Sequence, residues 1–194
     1  KRSVPMDDVY QAKHIVLQGQ NPGTNHPRML SALEKAKQNG AKILSINPLR
    51  EAGLVNFKNP QTPRGMVGPG TDLSDLHLPI ALNGDLALLQ AFGSLLVEWD
   101  ALDHDFIDRY TIGFELWKQH VTDTDWDVVT RTTGLSRERI TDAARMLRDS
   151  DATVFCWAMG LTQHHNSVSI IKEVTNIALA QGNIAQETKY LADQ

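Results

Sequence analysis

This sequence predicts an α/β domain: a Rossmann-like, three-layer arrangement with a mainly parallel sheet and additional helices. Three observations carry that prediction. A short apolar run, His14–Leu17, stops in the turn Gln18-Gly19-Gln20-Asn21-Pro22-Gly23-Thr24-Asn25 and gives way to a helical pattern. Apolar runs recur at Ala41–Ile46 and Thr153–Trp157, separated by segments with helical periodicity. Each run ends in a polar turn, which is how open α/β sheets present backbone N–H groups to a phosphate or a polar cofactor.

The elements follow in order. Ile15, Val16 and Leu17 form a first strand ended by Gly19. Thr24 or Asn25 is positioned to cap the helix behind it, Pro27 suits a first turn, and Met29, Leu30, Leu33 and Ala36 share one face up to the stop at Gly40. Ala41–Ile46 is a second strand ended by Asn47-Pro48, so strand, helix and strand make one βαβ unit. Arg50–Asp75, rich in Pro and Gly and without periodicity, reads as a long ordered loop. Leu76–Leu82 is a third extended segment, with Pro79 limiting its pairing.

Asn83-Gly84-Asp85 makes a turn into a helix from Leu86 to Trp99. Asp105–Thr111 and Phe114–Val121 are two short helices separated by Gly113, and a third begins at Thr124–Asp127 and ends at Gly134. Ser136-Arg137-Glu138-Arg139 resembles a capping box and opens Arg139–Asp149. After the strand Thr153–Trp157 comes a second strand-to-turn junction, Met159–Gln163, then the helix Val168–Ala180 closed by Gly182. The 194 residues are read as one domain, residues 1–194.

Composition narrows the function classes. With 41% hydrophobic and 22% charged residues the chain is an ordinary globular protein. No apolar run approaches 18 residues, so no membrane association is expected, and without a basic region followed by an apolar one at its start a cytoplasmic location is expected. A net charge of −4, from 19 basic and 23 acidic residues, argues against nucleic-acid binding. The single cysteine, Cys156, excludes an internal disulfide and a thiolate-rich metal site, and in an apolar strand it reads as an inert thiol. Trp117, Trp126 and Tyr110 sit at helical spacing from apolar residues and read as core.

The strand ends nominate the site. Parallel strands direct their carboxyl ends to one edge, so Gln18–Asn25, Asn47–Arg50 and Met159–His165 should converge there, with Asn83–Asp85 beside them. Solvated loops would look the same, and a helix N-cap alone would account for Asp85. The pair His164-His165 has no third ligand at a supporting spacing, so no metal is expected on this chain. Neither G-x-G-x-x-G nor a phosphate loop is present, and no nucleophile–base constellation stands out, so no catalytic residue is assigned.

Taken together, several motifs resemble those of one family. They are Gly19-Gln20-Asn21-Pro22-Gly23-Thr24-Asn25-His26-Pro27, Gly40-Ala41-Lys42-Ile43 leading to Asn47-Pro48, Asn83-Gly84-Asp85 with Ala87-Leu88, Ala144-Arg145, Met159-Gly160-Leu161-Thr162-Gln163-His164 and Ala180-Gln181-Gly182-Asn183. In order and spacing they are similar to the catalytic subunits of molybdopterin-dependent oxidoreductases, most closely the formate-dehydrogenase-like branch. The resemblance implies an internal domain, a fragment of a larger catalytic subunit, that binds one guanine dinucleotide of a bis-molybdopterin guanine dinucleotide cofactor carrying molybdenum or tungsten.

It further implies a site of Gly19, Asn21, Pro22, Thr24, Asn25, Asn47, Asn83, Asp85, Met159, Gly160 and Gln163. The metal ligand, any 4Fe-4S cluster and the reacting residues would lie in the remaining domains of the subunit, an electron-transfer partner would be engaged there, and the fragment alone would be inactive. Two departures bear on the site. Asn47 stands where relatives usually carry an Asp, which exchanges a charged contact for a neutral hydrogen bond, and Leu49 displaces Arg50 by one position. Ala185 and Gln186–Gln194 depart from the glycine-rich continuation. A self-contained Rossmann-type nucleotide enzyme and a ligand-free interaction domain are the competing readings.

Overall fold

The computed structural model describes residues 4–61 and 67–183, so Ala185 and Gln186–Gln194 lie outside the described residues. Its sheet contains four strands, β1 (His14–Gln18), β2 (Lys42–Ile46), β3 (Leu76–Leu78) and β4 (Thr153–Trp157), in the order β3-β2-β1-β4. All three pairings are parallel, in register from His14↔Lys42, His14↔Thr153 and Leu44↔Leu76. The chain builds outward from β1 through β2 to β3 and then returns to the other side of β1. That reversal makes the carboxyl ends of β1 and β4 a topological switch point.

Alternation along the strands sends side chains into two separate cores. On one face Ile15, Leu17 and Ile43 pack against Leu30, Leu33 and Ala36 of α3 (Pro27–Gln38), with Leu54 of α4 (Ala52–Val55). On the other, Val16, Leu44, Ile46 and Leu78 pack against α5 (Asp85–Glu98), α9 (Arg137–Arg148) and α11 (Ser167–Ala180), each supplying fully buried Leu, Ile or Ala. Two helical layers over a parallel sheet explain why β1 is buried at all five positions and why its centre, Ile15–Leu17, is a continuous apolar run. Helices α1 (Met6–Gln11), α6 (His104–Tyr110), α7 (Phe114–Thr122) and α8 (Trp126–Thr133) lie around this frame.

Local chemistry fixes the boundaries. Asp103, Asp125 and Ser136 cap α6, α8 and α9 through bonds from Phe106 N, Asp127 N and Arg139 N. The third strand stops at Leu78, four residues short of the extended segment read from the sequence, because Pro79 has no N–H for the ladder. The loop expected over Arg50–Asp75 contains α4 and a bridge between Phe57 and Thr71, and Glu34 of α3 accepts from both Asn59 Nδ2 and Thr71 Oγ1. Trp117 and Trp126 pack against the larger core, whereas Tyr110 is 37% exposed and stacks on Phe106. No helix among the described residues is long and apolar enough to cross a membrane.

Candidate cofactor crevice

At the carboxyl ends of the strands lies a crevice of about 220 Å³. Six of the residues nominated by the sequence line it: Gly19, Asn21, Asn25, Asn47, Asp85 and Gly160. Gln20, Ile46, Pro48, Glu51, His164 and the segment Ile80–Leu82 complete the wall. No Lys or Arg borders it among the described residues. Its volume is below the roughly 300–1,000 Å³ of a complete small-molecule site, so it suits one end of a larger ligand.

Backbone geometry closes the floor. Gly19 stands at φ +60°, and a Cβ there would lie 2.9 Å from the Gly160 carbonyl carbon. On Gly160, a Cβ would come within 2.5 Å of the Gly19 carbonyl oxygen, while Gly160 N donates to that same oxygen at 3.2 Å. The two strand-end turns therefore touch backbone to backbone, which only glycine allows.

Asn21 organises the turn after β1. The sequence places a cap at Thr24 or Asn25, but Asn21 caps instead: its Oδ1 accepts from Thr24 N at 3.1 Å and opens the short helix α2 (Pro22–Asn25). His26, without a side-chain bond, starts α3. The Asn21 Nδ2 donates to Glu51 Oε2, and this ties the first turn to the loop after β2. Asn47 is buried, and its Nδ2 donates to Gln20 O at 2.8 Å, so its Oδ1 is the polar atom left for a ligand.

Asp85 is a correction to the simpler of its two readings. Gly84 is the N-cap of α5, and Asp85 makes no capping bond. The residue is 5% exposed; Oδ1 accepts from Gln18 Nε2 at 2.8 Å, and Oδ2 lies 3.6 Å from His164 Nε2. A carboxylate at the first position of a 14-residue helix is favoured by the helix dipole as well as by that amide donor. Gln18 Oε1 and Gln20 Oε1 are buried with no hydrogen-bond partner. Orphaned acceptors beside an open crevice are what a donor-rich ligand would satisfy.

The remaining nominated residues fall outside the crevice lining. Pro22 is buried in α2, and Thr24 is exposed on it. Asn83 takes φ +65° in the turn before α5. Met159, 63% exposed, and the exposed Gln163 sit on the outer side of α10 (Met159–Thr162). Glu51 was not nominated, and Gln18 and Gln20 were nominated only as part of the segment Gln18–Asn25, with no role of their own. The signal for the glutamines was polarity at the end of an apolar strand; nothing local marked Glu51.

A second cavity, of about 130 Å³, lies under α4 and is bordered by Ser45, Ser74, His77 and Arg50. Two serines and one His77 nitrogen form a chain there, while His77 Nε2 is buried without a partner. Ser74 Oγ donates to Leu76 O, so Ser45 Oγ donates to Ser74 Oγ and accepts from His77 Nδ1, at 3.0, 2.9 and 2.9 Å. Burial, then the Arg50 and Arg139 charges, hold the His77 pKa below its usual value. Burial also raises the Cys156 thiol to about 11, which keeps it protonated and unreactive. No group of three or more His, Cys, Asp or Glu side chains suited to a metal occurs among the described residues.

The sequence family decides what this crevice belongs to. Residues 2–192 match the model of the molybdopterin oxidoreductases. The chain belongs to that family. It is 46% identical over 192 residues to an uncharacterized oxidoreductase of Mycobacterium bovis, covering 96% of this chain and 25% of that protein. Formate dehydrogenase H of Escherichia coli is 29% identical over 168 residues, 87% of this chain and 21% of its own length. Among solved structures, acetylene hydratase from Pelobacter acetylenicus superposes with a TM-score of 0.75 at 20% identity, over 92% of this chain and 24% of that one, which supports the fold. This molybdopterin oxidoreductase chain thus spans about a quarter of the length of the curated relatives it matches.

Proposed function

We propose that the crevice holds the nucleotide end of a molybdopterin guanine dinucleotide, and that the protein carrying this chain is a formate-dehydrogenase-like oxidoreductase using molybdenum or tungsten. The observation that carries the reading is the convergence of Gly19, Asn21, Asn47, Asp85 and Gly160 at the sheet's carboxyl edge, in a chain matched to this family from end to end. Two of its relatives, formate dehydrogenase H and an F420-dependent formate dehydrogenase subunit alpha, favour formate-type chemistry.

The residues present fit the group. The Gly19–Gly160 contact lets a ligand approach backbone N–H groups without side-chain obstruction. Asn47 and the Asp85–Gln18 pair offer fixed polar atoms to ribose and base. When bound, the cofactor supplies two-electron chemistry at its metal. This chain's residues bind and orient it, and none is assigned to the bonds of the substrate. Residues 1–194 act as one domain; the other domains of the subunit would supply the metal ligand, hold any 4Fe-4S cluster and meet an electron-transfer partner, in the cytoplasm. This chain alone is expected to be inactive.

Purified full-length protein, denatured to release its nucleotide and analysed for metals, is expected to yield GMP together with molybdenum or tungsten. Absence of both, from cells able to make the cofactor, would overturn the reading.

A further inference from the structure

We infer that the helical layer over α5 and α11 is a docking surface for a second protein, one that presents an apolar contact ringed by Lys or Arg. The inference does not depend on a nucleotide in the crevice. α7 is seated on α5 at Gly93, where Trp117 and Val121 pack, and Trp117 Nε1 donates to Oε1 of the buried Glu173 of α11 at 2.7 Å. With Trp117 turned inward, Leu116 beside it faces solvent at 76% exposure, and Ile112, in the link before α7, is 101% exposed. That link needs the positive φ of Gly113, +78°; a fully exposed Ile next to it serves neither the turn nor the core. Two large apolar side chains held in water within five residues of each other mark a contact surface.

Charge identifies the occupant. Residues 99–136, which link α5 to α9, include eight acidic and three basic side chains, a net −5, whereas the rest of the chain, with 15 acidic and 16 basic, is +1. Asp100 pairs with His104, and Asp103 and Asp125 cap α6 and α8. Asp105, Asp108, Glu115, Asp123 and Asp127 are exposed, and their carboxylates make no hydrogen bond or ion pair to a described residue. An apolar centre in such surroundings repels nucleic acid and anionic lipid. Two copies meeting through this layer would oppose like charges. The arginines of α9 on another copy are already engaged: Arg137 lies over Trp126, Arg139 donates to His77 O, and Arg145 and Arg148 pair with Asp142 and Asp149. The occupant that fits is a different protein with a basic face, Ile112 and Leu116 supplying the desolvated contact and the carboxylates steering its approach.

The probe is a synthetic helical peptide with Leu along one face and Lys on the other, titrated into the full-length protein by fluorescence anisotropy, with a Glu-for-Lys peptide as control. Wild type should bind the Lys peptide at low salt, lose affinity as salt rises, and ignore the Glu peptide. The double variant Ile112→Ser, Leu116→Ser and the triple variant Asp105→Asn, Asp108→Asn, Glu115→Gln should each bind about tenfold more weakly or worse, as expected for the centre and the steering charges of one interface. Thermal melts should place both variants close to wild type, since every altered side chain is exposed. No binding of the Lys peptide by wild type, or equal binding by wild type and either variant, overturns the inference. Ile112→Cys in the full-length protein should react with a maleimide at the rate of an exposed thiol; protection there would place the surface inside the subunit and overturn a separate partner.

Discussion

The two sides of the crevice are built differently. On the β1–β2 side nearly every polar side chain is tied to another segment: Gln18 to Asp85 across 67 residues, Asn21 to Glu51 across 30, Asn47 to Gln20 across 27. On the β4 side only Gly160 and His164 reach the crevice, and Met159, Thr162 and Gln163 project outward. One wall is preorganised by the chain itself, which lowers what a ligand must spend in ordering it. The other presents exposed apolar and polar groups, including Trp157 at 38% exposure. Substitutions in the first wall should therefore change folding and binding together, and those in the second should spare folding.

The largest effect is expected where the walls meet. Gly160→Ala places a Cβ 2.5 Å from the Gly19 carbonyl oxygen, and main chain cannot yield as a side chain would. Urea unfolding should register a loss of about 3 kcal/mol, in the range of overpacked cores. An unchanged midpoint would mean that the turns are free to separate.

Next comes Asp85→Ala. It strands the buried Gln18 amide and should cost about 1–3 kcal/mol, more than a lost cap, together with the loss of GDP binding. A loss of binding with full stability would show that Asp85 acts on the ligand alone.

How far these features are legible in the sequence follows from range. The four strands could be read because β-branched and apolar runs between turn residues are local signals, and the caps at Asp103, Asp125 and Ser136 are local too. Asp85 follows Asn-Gly and precedes a helix, so its short-range pattern is that of a cap; only the fold brings Gln18 and His164 to it and reveals a buried carboxylate. Glu51 sits in a proline-rich loop, and its place in the crevice depends on Asn21, 30 residues earlier. Asn83 and Gly84 were legible as a turn, but the left-handed conformation of Asn83 within it was not.

A third effect is pH dependence, expected away from both walls. His14 and His77 have lowered pKa values, chiefly from burial, so the unfolded chain binds their protons more readily. Stability from these groups is complete above the unfolded value of 6.5 and declines as pH falls from there toward the lowered folded values. Replacing His14, whose ring nitrogens have no partner, with Leu should flatten that acid limb in thermal melts.

The smallest effect belongs to the open wall. Met159→Ala and Gln163→Ala should each change stability by less than about 0.5 kcal/mol, measured by the same urea titration. A larger loss would mean that this wall, too, is held by the chain.

Amide hydrogen exchange of the full-length, cofactor-free protein, with and without saturating GDP, addresses the central claim most directly. Slower exchange is expected at 19–25, 47–51 and 80–85, with 161–163 unchanged. Protection confined to other segments, or none at all under saturation, would contradict the placement of the nucleotide in this crevice.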